Sequence, residues 1–537
     1  MQQYDVRNTE IDYECENKHV ASTHAERDAL SWNVRCKPAV INKDGAENEV
    51  VALRAKKGGP SAQAVAPVVS DPWVSSALLL TPLEFAHVQL PKSSPETSVE
   101  PSWVYGYQAE KSRNNVRYSA LGHVVYHVSR YAIVYNIESH EQNIFTGHMN
   151  EILCLAMHPD GNIVATGEIG SPTAKLLVWN CCNTNTNPNA NLNNNTMDIQ
   201  FTESNFHRNG VLHMAFSADG KLLATIGNDK YHSLAVYKWK EQEVLFTSRV
   251  SEGECLCCAF MNDTGSNSMT VAVGGDSYLY YWSKSSEGFT LRPGNFSMHS
   301  SRQPITCVVG VPSKGGGKQT NVNNNGTIVT SNAGCDQMVT GTASGQLLLW
   351  VDRNCVKVVR GHEGTVSTIY AGVQCILTGG KDQRIRQWTL KLEPGATFNV
   401  SPFGRNPSIR SICLSSDGTT VLFGTRGSDI YEISAIDGSD VRGGPIASGH
   451  CFGEVKCVSI HPSKYEFASC CDDCTVRVID MTTHTMIKMA SFDAPVQSLC
   501  FSPMGDVLVI GLGSAPGVNN GKSGAYVVLN EEDLSII

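Results

Sequence analysis

His362, Thr378, Asp382 and Trp388 are the residues whose types and spacing come nearest to chemistry in this chain of 537 residues. They fall in GHEGTVSTIYAGVQCILTGGKDQRIRQW, and the first three have the makings of a hydroxyl–imidazole–carboxylate relay. Such a relay is recognised by geometry and accessibility rather than by spacing. Gly-His before a strand, with Asp in the next turn and Trp in the strand after it, also marks a WD blade. There the four types form a buried hydrogen-bond chain, and a partly satisfied chain would be costly. All four occur together here, so a structural tetrad is expected. The unit opening at Gly449-His450 keeps Ser469 and Asp473 but has Ile479 in place of Trp, and several other units have lost Asp or His.

Two further groupings invite a chemical reading. Cys470-Cys471-Asp472-Asp473-Cys474 contains a C-x-x-C, with His461 upstream. Zinc needs convergent ligands, and no second pair is spaced to supply them. Cys470 alternates with Ser469 and Cys471 along a strand, so the thiols do not share a face. Cys255, Cys257 and Cys258 in ECLCCAF alternate in the same way, and core or turn cysteines are expected in both stretches. GVPSKGGGKQT resembles a phosphate loop, but Gln319 follows Lys318 where Ser or Thr is needed, and no helix pattern comes after it. No catalytic residue, metal site or cofactor is therefore expected, and a propeller enzyme is the weakest functional class.

The elements that position these residues are short strands. ILCLAMHP, VLHMAFSADG, CLCCAFMND, ITCVVG, TVSTIYAG, IRSICLSSDG, VKCVSIHP and VQSLCFSPMG recur along the chain. Their starts lie about 40–60 residues apart, near the ~40–45 of a four-stranded blade. A preceding strand pair, Val124–Val128 and Ala132–Ile137, adds one more unit. The fold class is all-β: a WD-repeat β-propeller of seven blades, followed by the start of a second, incomplete tandem propeller. Residues 1–100 read as an irregular N-terminal arm and linker. Residues 101–148 hold an aromatic motif and the first blade, 149–444 the remaining blades of the ring, and 445–537 the first blades of the second. The chain stops at EEDLSII, so either a truncated form or segment of a longer protein, or last blades covered by a partner, is expected. Polar insertions, Asn183–Thr196 and Pro312–Gly326, are too poor in apolar residues to order themselves.

The composition, 41% apolar and 17% charged, suits a globular protein with many buried strands. No apolar run approaches the ~18 residues of a membrane span. The start, MQQYDVRNTEIDYECEN, has neither the basic nor the apolar region of a secretory signal. Nineteen cysteines, mostly at strand positions, then read as buried thiols in a reduced cytosolic chain. The net charge of −9 disfavours nucleic acid and the acidic microtubule surface alike. Binding to either would need a local basic patch. No heptad pattern persists, so coiled-coil self-association is not expected.

The stretch WVYGYQAEKSRNNVRYSALGHVVYHVSRYAIVYNIESHEQNIFTGH, followed by ILCLAMHPDGNIVATGE, resembles the hydrophobic motif and first repeat of the echinoderm microtubule-associated protein-like family. The resemblance continues through RNPSIRSICLSSDGTTVLFGTRGSDIYEI and GHCFGEVKCVSIHP, about four-fifths of the chain. One departure lies inside the motif: Gln108-Ala109 stands where the family usually has Arg-Gly. Two readings of the motif remain. Trp103, Tyr105, Gly106, Tyr107, Arg113, Asn114 and Asn115 form a core that fixes how blades join, or Lys111, Arg113 and Arg117 form a basic patch for tubulin. Aromatic residues at alternating positions share one buried face, which favours the core. The family places this motif at the junction of two propellers. The resemblance implies a non-catalytic scaffold on microtubules, with tubulin and other cytoskeletal or axonemal proteins as partners, and neither nucleic acid nor membrane. Lys56 and Lys57 in the linker are further candidate tubulin contacts. Cytoplasm and cytoskeleton, and a ciliary or flagellar axoneme, are the implied locations. The alternative is a WD-repeat adaptor in a signalling, ubiquitin-ligase or RNA-processing complex.

Overall fold

The computed structural model describes residues 100–182, 197–261, 269–285, 288–296, 301–312, 319–322, 328–331, 337–513 and 524–537. The arm up to residue 99 and the insertion Asn183–Thr196 therefore lie outside the described residues. Among those described, every regular element is a β-strand, and no helix is long and apolar enough to cross a membrane.

The described strands form nine antiparallel blades in chain order, eight of four strands and a ninth of three. The second and third are fused into one eight-stranded sheet, because Ile169 and Gly170 pair with Gly210 and Asn209. A small hairpin, Gln319–Val322 with Ile328–Ser331, is inserted in the fifth blade. Part of the insertion read as unstructured from its asparagines, Gln319–Val322, thus pairs as a strand.

Each innermost strand from the second blade to the ninth carries a bulge near its start. A bulge leaves one residue outside the ladder and increases the local twist. It follows Ile152, Cys255, Ile305, Val366 and Ile409 in the ring, so one device fixes the same bend in blade after blade. Opposite it, a side chain at Gly167, Gly274, Gly341 or Gly379 would collide with Val211, Ile305, Val366 or Ile409, the opening apolar residue of the next innermost strand. Glycine lets the next blade stack closely at these four boundaries, whereas Ile226 and Cys470 stand at the same position in the third and eighth blades.

Innermost strands pack side by side from the second blade to the seventh. Arg117–Tyr118 of the first blade then packs on Ile409–Leu414 of the seventh, and Val124–Val128 packs on Ile152–Met157 of the second. Seven blades thus close a ring. The outer strand of the seventh is Ala447–Ser448, after which the eighth and ninth blades pack on each other around Ala468, Val476, Val496 and Leu508. The innermost strand of the eighth, Val455–Ile460, has a neighbour on one side and leaves Ile460 67% exposed.

Candidate functional site

The sixth blade holds the tetrad as a directed chain. The indole of Trp388 donates to Thr378 Oγ1 at 2.9 Å, and Thr378 meets His362 Nε2 at 2.7 Å. His362 Nδ1 lies 2.8 Å from Asp382, which also accepts the Glu363 amide. His362 and Thr378 are 1% and 0% exposed, so no substrate reaches the hydroxyl. Burial raises the Asp382 carboxyl, but the His362 bond and charge, the Glu363 amide and Arg386 together hold it below the usual carboxylate range. In the eighth blade His450 joins Asp473 and Ser469 without a tryptophan.

A complete tetrad in the second blade escaped the motif reading. His148 Nε2 meets Thr166 Oγ1 at 2.7 Å, Trp179 donates to the same oxygen at 3.1 Å, and His148 Nδ1 meets Glu168 at 3.0 Å. The acid comes two residues after the threonine instead of four, and the longer side chain makes up the distance. In the sixth blade the equivalent position is Gly380, where a Cβ would lie 2.5 Å from His362 Nδ1. The signal was present in Gly147-His148, Thr166-Gly167-Glu168 and Trp179. We expect Asp382→Ala and Glu168→Ala each to lose about 1–3 kcal/mol in denaturant titrations, because both leave buried donors unpaired. An Asp382→Ala protein that melts like wild type but loses partner binding would make the tetrad a binding site instead.

His461 and the C-x-x-C do not converge. His461 Nε2 reaches the Gly505 carbonyl at 3.0 Å and ties the eighth blade to the ninth, as His158 ties the second to the third through Gly220. Cys470 and Cys471 are buried at the end of their strand, and Cys474 sits in the following turn. Cys255 and Cys257 are buried in an innermost strand, with Cys258 partly so. Lys318, Lys56 and Lys57 lie outside the described residues.

The hydrophobic motif divides into two parts. Residues 107–117 cross the centre of the ring. Ser112 Oγ donates to Leu153 O at 2.8 Å, Arg113 to Leu256 O at 3.2 Å, and the Asn114 amide to Arg410 O at 3.1 Å. Those three carbonyls belong to the bulged residues of the second, fourth and seventh blades, which the ladder leaves unpaired. The polar run of the motif thus satisfies backbone groups that the bulges expose toward the axis. Thr368 of the sixth blade bonds Asn114 Oδ1. Asn114 turns the chain at φ 56°, a left-handed conformation that asparagine tolerates. Arg410 answers from the seventh blade, donating to Ala109 O and Glu110 O at 2.9 and 2.6 Å. Arg117 donates to Ile412 O at 3.1 Å. Asn115 is buried, accepting from Tyr107 Oη and donating to Gln108 O, each at 2.6 Å.

Residues 103–106 fasten the ring to the eighth blade. Trp103 stacks on His484 with ring centroids 4.2 Å apart, and the Tyr105 hydroxyl meets His484 Nδ1 at 2.7 Å. Tyr105 also packs edge-on against Phe467. On the ring side the Val104 backbone exchanges bonds with the Gln142 amide. Gly106 has φ 99°, and a Cβ on Gly449 would lie 2.4 Å from its Cα, so the backbones touch where the two parts meet. Lys111 differs from its neighbours: its ammonium is exposed and pairs with Glu151 at 2.9 Å.

Comparison with known proteins agrees with this architecture. Residues 141–433 match the model of the first β-propeller of echinoderm microtubule-associated proteins, and residues 94–136 match the HELP motif. The chain belongs to the echinoderm microtubule-associated protein-like family. Residues 443–480 further match the WD domain, G-beta repeat. Among this family's members, rat echinoderm microtubule-associated protein-like 2 is 26% identical over 432 residues, covering 78% of this chain and 60% of the relative. Human echinoderm microtubule-associated protein-like 1 is 26% identical over 437 residues, covering 78% and 47%. The 77 kDa echinoderm microtubule-associated protein of Lytechinus variegatus is 23% identical over 461 residues, covering 82% and 60%. The chain thus spans about half to three-fifths of the relatives it matches.

Proposed function

We propose that this chain is a non-catalytic scaffold that docks on microtubules, with tubulin and other cytoskeletal proteins as partners and axonemal microtubules of a cilium or flagellum as its site of action. The observation that carries this reading is the family motif, whose aromatic end rivets the ring to the eighth blade while its polar end fills the ring's centre. A rigid two-part body with loops on its faces is suited to holding partners in a fixed relation. The relatives named as microtubule-associated supply the partner. Neither nucleic acid nor membrane enters this reading, in keeping with a net charge of −9. Lys56, Lys57 and Lys111 are the proposed tubulin contacts. Arg113 and Arg117 direct their guanidinium groups to carbonyls within the ring, and serve the fold first.

Co-sedimentation with stabilised microtubules at two salt concentrations tests the proposal. Binding should weaken as salt rises, since exposed charges are screened over ~8 Å at physiological ionic strength. Charge reversal at Lys56 and Lys57 should reduce pelleting more than reversal at Arg113 in protein that remains folded. No pelleting at low salt would favour the adaptor reading.

A further inference from the structure

The eighth blade carries a donor set found at none of the ring's tetrads. We propose that His450 Nδ1, Cys471 Sγ and the Asp473 carboxylate bind a zinc-like divalent cation. Register fixes the comparison. Glu168, Gly380 and Cys471 each pair with the first residue of their innermost strand, so the three occupy one position in the repeat. Its side chain points at the imidazole: Glu168 uses it to reach His148, and Gly380 leaves it vacant beside His362. In the eighth blade Asp473 already faces His450 Nδ1 at 3.1 Å, so Cys471 adds a third donor to a pair that is complete without it. The three ligand atoms lie within 4.8 Å of one another.

The arrangement suits zinc. Nitrogen and oxygen ligands at about 2.0–2.2 Å from a tetrahedral metal are themselves about 3.3–3.6 Å apart. The 3.1 Å between His450 and Asp473 needs only a small opening, and a rotation of the Cys471 side chain brings in sulfur. Imidazole, thiolate and one carboxylate favour zinc over calcium or magnesium, which take oxygen. The far side of the imidazole is prepared as well. His450 Nε2 lies 3.0 Å from Ser469 Oγ, and with Ile479 in the tryptophan position no indole donates to that hydroxyl. Ser469 is therefore open to accept the Nε2 proton, which fixes the tautomer with its lone pair on Nδ1. Asp473 is oriented by the amides of Cys451 and Thr475. Arg405 lies beside the group, donating to the Asp473 carbonyl at 3.5 Å, and Asp472 adjoins Cys471. Cys471 would surrender its proton to solvent as the metal–sulfur bond forms. Its thiol now donates to the Phe452 carbonyl at 3.0 Å.

Cobalt(II) titration of the chelator-treated full chain tests the site, with Cys471→Gly as the decisive variant. The sixth blade keeps its turn with glycine at this position, so the variant retains a working precedent for folding. The wild type should bind one more equivalent of cobalt than Cys471→Gly and show a thiolate-to-cobalt charge-transfer band that the variant lacks. Zinc should raise the melting temperature of the wild type and leave that of the variant unchanged. Equal stoichiometry and spectra for the two proteins, or no cobalt binding by the wild type, would overturn the proposal. These readouts are independent of microtubule binding.

Discussion

Replacing Tyr107 with alanine should destabilise the ring by about 3–5 kcal/mol, the range for removing a buried aromatic side chain. Tyr107 is 3% exposed and packs with Val124, Tyr126 and Ile133 of the first blade and Leu422 and Ile430 of the seventh. Its position explains the size of the effect. At four blade boundaries, after Gly167, Gly274, Gly341 and Gly379, the glycine opposite a bulge receives the first apolar residue of the next innermost strand. At the last boundary that glycine is Gly424, and what it receives is Tyr107, whose Oη would lie 2.6 Å from an added Cβ. The tyrosine supplies the missing partner, because the first blade's innermost strand is only Arg117–Tyr118. Tyr107→Phe keeps the packing and loses the bond to Asn115, for about 1 kcal/mol. Urea titration of the three proteins would order them as wild type, phenylalanine, alanine. An alanine variant within about 1 kcal/mol of wild type would show that the ring closes without the motif.

What the sequence revealed depended on whether a feature is local. The repeat of innermost strands was legible because alternation and turn residues act over a few neighbours, and the tetrad of the sixth blade because all four types keep their usual spacing. Glu168 was missed because its role depends on reach across a strand end, which spacing rules do not encode. The polar run Arg113-Asn114-Asn115 could be counted but not interpreted. The carbonyls that Ser112, Arg113 and Asn114 meet, those of Leu153, Leu256 and Arg410, lie 41, 143 and about 300 residues away and become available only through bulges that no composition announces. His450, Cys471 and Asp473 were hidden for the same reason: C-x-x-C and His461 stand out along the chain, whereas the donors converge through strand register.

The same buried network should make the protein acid-labile well above the range where carboxylates protonate. His127 and His207 are 0% and 1% exposed. Burial pushes the His127 imidazole down to about 3, with His148 adding to the effect. Burial likewise lowers His207 to about 4, although Asp229 pulls the other way. Both rings serve as neutral hydrogen-bond partners: His127 Nε2 lies 3.2 Å from both Ser112 Oγ and Asn115 Nδ2, and His207 bridges Thr225 and Ser233. A histidine in the unfolded chain takes up a proton near pH 6.5. Between that pH and the folded value the unfolded state holds more protons, so stability falls as pH falls. Each group contributes on the order of a few kcal/mol across this window, since a tenfold difference in proton affinity between the folded and unfolded chain corresponds to about 1.4 kcal/mol. Carboxylates held low by their bonds, Glu168 and Asp382 among them, add loss in the same direction below about pH 4, while Asp429, raised by burial, opposes it. Denaturant titrations at steps from pH 7 to 4.5 should show the decline, and His127→Gln should flatten it. Glutamine keeps an acceptor for Asn115 but cannot titrate. A stability that stays level from pH 7 to 4.5, or an unchanged slope in His127→Gln, would show that the imidazole at the ring's centre takes up its proton without unfolding the blades around it.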